Sequence, residues 1–217
     1  TGVLLAEAYR DAGLPDGVFN LVMGPGATVG QEIQENPGID GIVFTGSKEV
    51  GLKLMRDNAA RRVPRPLIIE MGGKNPAIVT NSADLDIATD GVMRSAFGAQ
   101  GQKCSACSRV YVQDGVRDTF VQALVEKTTR IKVGNPLERD VWMGPVINEA
   151  AVRTYLSAID RARKDGGRIL VGGKRITEPP FDRNTVVVLF SDHGESFGEL
   201  GRWGHANLTL SNLRVPL

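Results

Sequence analysis

Cysteine is nearly absent from this chain: Cys104 and Cys107 are the two such residues among 217. Standing three apart, they cannot tie distant segments together, so a disulfide framework is excluded and reduced thiols are expected. Histidine is as scarce, with His193 and His205 both in the last stretch. No charge of one sign dominates, since 26 Lys and Arg face 25 Asp and Glu. That balance removes the electrostatic ground for a nucleic acid or an anionic membrane as partner and leaves a small molecule as the expected one. No apolar run approaches the roughly 20 residues that cross a bilayer, and the first residues lack a basic region followed by an apolar one. A cytoplasmic location is the expectation. Internal repeats and low-complexity tracts are absent as well. What remains, 41% hydrophobic and 24% charged residues, is the profile of a soluble α/β protein of one or two domains.

Along the chain, strands and helices alternate. TGVLLAEAYRDAGLP has apolar residues at helical spacing and stops at Gly13 and Pro15, which predicts a helix. GVFNLVMG reads as a short buried strand, and PGATVGQEIQENPG as a Gly-rich turn opening a helix. GIVFTG is a strand, SKEVGLKLMRDNAARR a helix capped by Ser47, and PLIIEMGG a further buried strand. PAIVT, the helix DLDIATDGVMRSAFGA, the cysteine loop, the strand SRVYVQ and the helix VRDTFVQALVEKTTRIK continue the pattern. After the turn-rich GNPLERDVWMGPVIN come an amphipathic helix, EAAVRTYLSAIDRARKDGG, and a strand, RILVGG. The order predicts an open parallel sheet with functional loops at the carboxyl ends of its strands. Around residues 177–184 the texture changes, with TEPPFDRN leading into an apolar strand, TVVVLF, and then SDHGESFGELGRWGH.

Cys104 lies in GQKCSACSR, between a predicted helix and a predicted strand. Taken alone, C-x-x-C admits several readings. The pair can be small buried apolar side chains. A thioredoxin-type motif would need a strand before it and a helix after, the reverse of the order here. A structural zinc site needs four ligands, and only the distant His193 and His205 could complete one.

The stretches FTGSKEVG, EMGGKNP and GQKCSACSR, in this order and spacing, resemble the aldehyde dehydrogenase superfamily from Thr1 to about Arg183, with VGNPLERDVWMGPVIN included. The form QGQKCSACSR looks most like the branch that oxidises glutamate semialdehyde, in equilibrium with 1-pyrroline-5-carboxylate. The resemblance implies oxidation of an aldehyde with NAD, or alternatively NADP, through Cys104 as nucleophile. A thiolate adding to the carbonyl makes a tetrahedral species able to lose hydride, and the thioester that follows needs a base to activate water. Glu70, at the end of a strand expected to be buried, is placed for that role, and Gly72 and Gly73 after it would let a cofactor ring approach. Gly46 and Ser47 stand at a helix N-terminus, where free N–H groups favour a pyrophosphate. By resemblance the cofactor role extends over Gly46, Ser47, Lys48, Glu49, Val50 and Gly51, with Gly26 and Gly30 as a second turn facing it.

The resemblance also implies missing parts. The family's oxyanion asparagine and adenosine-ribose contacts would precede Thr1, and its nicotinamide-ribose loop would follow GGKR. Loss of one oxyanion donor alone lowers turnover by about two to three orders of magnitude. The tail from Asp182 on resembles the alkaline phosphatase-like sulfatases and phosphoglycerol transferases, with Asp192 and His193 matching a metal-binding pair and His205 a later site histidine, but the nucleophile and the other ligands of that family have no match, so a capped turn rather than a metal site is expected there. The fold expected is therefore α/β, a partial aldehyde dehydrogenase fold incomplete at both ends plus a short foreign tail. Residues 1–70 would be the C-terminal part of the NAD-binding domain, 71–180 the N-terminal part of the catalytic domain, and 181–217 a sulfatase-like fragment. Uncovered sheet edges make marginal stability and self-association the further expectation.

Overall fold

The computed structural model describes residues 2–176 in full and, beyond them, the backbone of 185–186, 196–197, 203–204 and 214–216. The chain falls into two compact units, Thr1–Met71 and Gly72–Leu217.

In the first unit, α1 (Gly2–Asp11) ends where Gly13 takes φ +84°, a left-handed stop that favours glycine. A single π turn over Gly26–Gly30 runs into α2 (Gln31–Glu35). β1 (Ile42–Gly46), α3 (Lys48–Ala59) and β2 (Leu67–Met71) follow. The two strands pair in parallel without slippage, from Ile42 opposite Leu67 to Gly46 opposite Met71. α3 packs on one face of the pair. Gly51 makes this approach possible, since a Cβ there would lie 2.6 Å from Met71 Sδ and 3.0 Å from Ile69 Cγ2. The other face stays open, with Val43 76% and Ile68 58% exposed. α2 is tied down by Arg65, whose guanidinium donates to the carbonyls of Gln34, Asn36 and Ile39. Asn58 in turn brackets the Arg65 backbone, accepting from its N–H at 3.1 Å and donating to its carbonyl at 3.0 Å.

The strand expected over GVFNLVMG does not form: Val18 to Met23 lie in a bend and irregular chain outside any ladder. A strand needs a neighbour to take its backbone groups, and none of the described residues pairs with this one. Its Val18, Val22 and Met23 side chains are exposed accordingly.

The second unit holds β3 (Asn75–Val79), α4 (Leu85–Phe97), a left-handed bend over Gly98–Gly101, β4 (Cys107–Val112), α5 (Asp114–Thr129) and α6 (Glu149–Lys164). β3 and β4 are parallel, as the expected partial α/β fold requires. Short strands β5 (Arg175–Ile176) and β6 (Thr185–Val186) pair antiparallel, as do β7 (Ser196–Phe197) and β8 (Trp203–Gly204). β9 (Arg214–Pro216) lies antiparallel on the free edge of β4. Side-chain oxygens start α4 and α6: Asp84 accepts from the N–H groups of Asp86 and Ile87, and Asn148 from that of Ala151. The core joins Val79, Val92, Phe97, Val110, Phe120 and Leu124, and Cys107 belongs to it.

RILVGG departs from expectation and is not a strand. Gly172 and Gly173 both take φ +72°, which turns the chain back until a Cβ at Gly173 would stand 2.7 Å from Ile169 Cγ2. Leu170 packs against the core from this irregular segment. Of TVVVLF, only Thr185–Val186 falls within the described strands.

Candidate active site

Cys104 sits on an exposed turn between α4 and β4. The approach to it is unusual backbone. Ala99 and Gln100 have φ +50° and +56°, a region that L side chains rarely occupy, and Gly101 continues at +69°. A Cβ at Gly101 would come within 2.8 Å of the Ala96 carbonyl, so only glycine fits. Gln100 anchors this bend by donating to the Gly144 carbonyl at 3.2 Å. The turn itself closes with Ala106 N–H donating to Lys103 O at 3.0 Å.

Two further residues hold the turn from β3. Asn75 Nδ2 donates to the carbonyl of Cys104 at 2.7 Å and to that of Ala106 at 3.3 Å. Gly73 leaves room for the contact, because a Cβ there would stand 2.5 Å from Cys104 O. The sequence makes neither role conspicuous; the one signal is the Asn-Pro step after GGK, a place where a ladder must break. Gly73 thus has a reason within its own unit, whereas a Cβ at Gly72 would meet nothing within 4 Å.

Cys107 is the opposite of Cys104. It opens β4, is buried, and donates its backbone N–H to the Ser95 hydroxyl oxygen at 3.1 Å. Burial pushes its thiol above the usual range, only partly offset by backbone hydrogen bonding to Arg109 and Ala77. A buried thiol that stays protonated is an inert neighbour.

Beside the turn runs a cleft of about 520 Å³, walled by Lys74, Phe97, Lys103, Met143, Val146 and Tyr155 among others. Burial pushes the Tyr155 phenol up to about 12. Its ordinary value is near 10, so the fold opposes its ionisation. Stability linked to it is complete below about pH 10 and is lost as pH rises toward 12. Thermal melts of the chain and of Tyr155→Phe are expected to part company only above about pH 10, with the variant losing less. Parallel alkaline decline of the two would count against a buried phenol.

Glu70 lies in the other unit, one residue before the end of β2 and opposite Thr45 of β1. The expected burial is not found. Side chains alternate along β2, and Glu70 shares the exposed, open face with Ile68.

The glycine-rich turn after β1 takes the expected form. Ser47 is the N-cap of α3, accepting from Val50 N–H at 3.3 Å. Gly46, Ser47, Lys48, Glu49 and Val50 are exposed, and Gly51 is buried against β2. The free N–H groups of that first turn face solvent in a geometry suited to an anion such as a pyrophosphate. Gly26 and Gly30 lie on the exposed π turn, where a Cβ on either would meet nothing within 4 Å. Packing within the unit does not account for these two glycines, which is compatible with a ligand's approach.

Asp192, His193 and His205 lie outside the described residues. Among the described residues, no group of three or more His, Cys, Asp or Glu could hold a metal ion. No described helix is long and apolar enough to cross a membrane.

A profile of the aldehyde dehydrogenase family matches residues 1–188. The chain belongs to the aldehyde dehydrogenase family. The match runs past Arg183, into the segment whose change of texture had suggested a foreign tail. The α-ketoglutaric semialdehyde dehydrogenase of Bacillus subtilis (strain 168) is 43% identical over 183 residues, covering 84% of this chain and 37% of the relative. The crystal structure of an NAD-dependent aldehyde dehydrogenase from Sinorhizobium meliloti superposes with a TM-score of 0.80 at 38% identity, over 85% of this chain and 36% of that one. A 1-pyrroline-5-carboxylate dehydrogenase from Thermus with bound NAD gives 0.76 at 36% identity, over 84% and 36% of the two chains. This family member therefore spans little more than a third of the length of these relatives.

Proposed function

We propose that the chain carries the nucleophile, the base and the pyrophosphate turn of an NAD(P)-dependent aldehyde dehydrogenase that converts a small acidic semialdehyde to its carboxylate. The observation that carries this reading is Cys104, an exposed thiol on a turn whose carbonyls are fixed from β3, beside a buried and protonated Cys107.

The Cys104 thiolate adds to the aldehyde carbon and forms a tetrahedral thiohemiacetal, which still bears the hydrogen to be lost. The nicotinamide ring of the cofactor, when bound, supplies the acceptor for that hydride. Cys104 then carries a thioester, and Glu70 takes a proton from the water that attacks it. The carboxylate leaves, and the Cys104 thiolate is free again. Gly46, Ser47, Lys48, Glu49, Val50 and Gly51 would hold the pyrophosphate side of the cofactor at the α3 N-terminus, with Gly26 and Gly30 as a second contact. Glutamate semialdehyde is the proposed substrate. The loop form QGQKCSACSR supports it, as does a relative named for another acidic semialdehyde.

Intact-mass measurement after incubation with the semialdehyde and NAD tests the reading. Glu70→Gln should form the thioester and hydrolyse it slowly, so an acyl mass is expected on Cys104. Absence of any adduct at Cys104 in both the variant and the unaltered chain rules the reading out.

A further inference from the structure

We propose that Asn75 is the positioning residue of the Cys104 turn; this rests on Cys104 being the nucleophile. One amide nitrogen carries two hydrogens, and the two carbonyls that Asn75 reaches, of Cys104 and Ala106, use both. Two carbonyl oxygens can be faced only by the nitrogen end of the amide, so its orientation is fixed by its surroundings. Binding the Cys104 carbonyl sets the plane of the peptide that follows the nucleophile, and binding Ala106 holds the far side of the same turn.

The backbone explains how a strand residue comes to do this. Asn75 pairs with Cys107, but Pro76 pairs with Arg109, so Ser108 is skipped and the ladder slips at this step. Proline has no N–H to give the ladder, and a bulge re-aims the side chain beside it. Gly73, two residues earlier, removes the Cβ that would collide with Cys104 O. Glycine, amide and bulge converge on one carbonyl. Asn75 acts in this arrangement through the backbone carbonyls of Cys104 and Ala106.

Asn75→Asp keeps the shape and removes both hydrogens. Its carboxylate, facing two carbonyl oxygens, would push the turn open and uncover Cys107 at the start of β4. Such a carboxyl titrates above the usual range, and once protonated it can donate to the Cys104 carbonyl again. The test is labelling with 2,2′-dithiodipyridine, which reacts with thiols at acid as well as neutral pH, followed by peptide mapping at about pH 8 and about pH 5. In the unaltered chain Cys104 should be labelled well ahead of Cys107 at both. In Asn75→Asp the Cys107-to-Cys104 ratio should rise about tenfold at the higher pH and fall back at the lower one. Ile159→Val, a core change distant in sequence, should leave the ratio unchanged at equal loss of thermal stability. An unchanged ratio in Asn75→Asp, no recovery in acid, or the same rise in Ile159→Val would overturn the proposal. Labelling of Cys107 ahead of Cys104 in the unaltered chain would instead sink the nucleophile assignment itself.

Discussion

On the function proposed above, Cys104→Ser is expected to abolish semialdehyde-dependent NADH formation, whereas Cys107→Ala should retain most of it. A serine hydroxyl at neutral pH is almost never ionised, while a thiol is a few per cent thiolate and far more nucleophilic in that form. Cys107 lies in the core at 7% exposure, so its loss is felt as packing, on the order of 1 kcal/mol. Initial rates followed at the NADH absorbance, on equal amounts of folded protein, give the comparison. A Cys107→Ala variant as dead as Cys104→Ser would show that the buried thiol takes part in the chemistry.

Phe120→Ala is expected to destabilise the second unit by about 3–5 kcal/mol, against a total of roughly 5–15 kcal/mol for a whole domain. Phe120 is fully buried on α5, next to Leu124 and Val110, which are also without exposure. Cys107 and Val112 belong to the same cluster, so β4 shares its core with this ring. Urea denaturation followed by circular dichroism measures the loss. A shift under about 1 kcal/mol would mean that the core refills the space. Leu54→Ala is expected to cost less, because Leu54 is the one buried apolar residue longer than alanine among those described in the first unit.

Much of the fold was legible because its signals are local. Ser47, Asp84 and the glycines closing α1 and α6 announce helix ends by the chemistry of their own backbone neighbours. The apolar strands IVF, LII and AIV are found where expected for the same reason. GVFNLVMG shows the limit, since its composition is that of a strand but pairing depends on a neighbour elsewhere in the chain. RILVGG fails by its own glycines, which could equally have ended a strand and here reverse the chain before one forms. At the site, the exposure of Cys104 and burial of Cys107 follow from helix, loop and strand order. The burial expected for Glu70 depended on what covers one face of a strand, which alternation along β2 cannot state. Asn75 was hidden because its role comes from a register slip, a property of two strands together.

The left-handed pair before the nucleophile has a consequence for how this chain responds to selection. Ala99 and Gln100 hold φ values of +50° and +56° that disfavour a side chain by about 1–2 kcal/mol each. Glycine at either position relieves that strain, so a library screened for heat tolerance alone would drift toward Ala99→Gly and Gln100→Gly. The second change would also delete the amide that anchors the bend to Gly144. Survivors of such a screen would melt later and carry their reactive thiol on a looser stalk, so breeding for hardiness and breeding for turnover would pull this short segment in opposite directions.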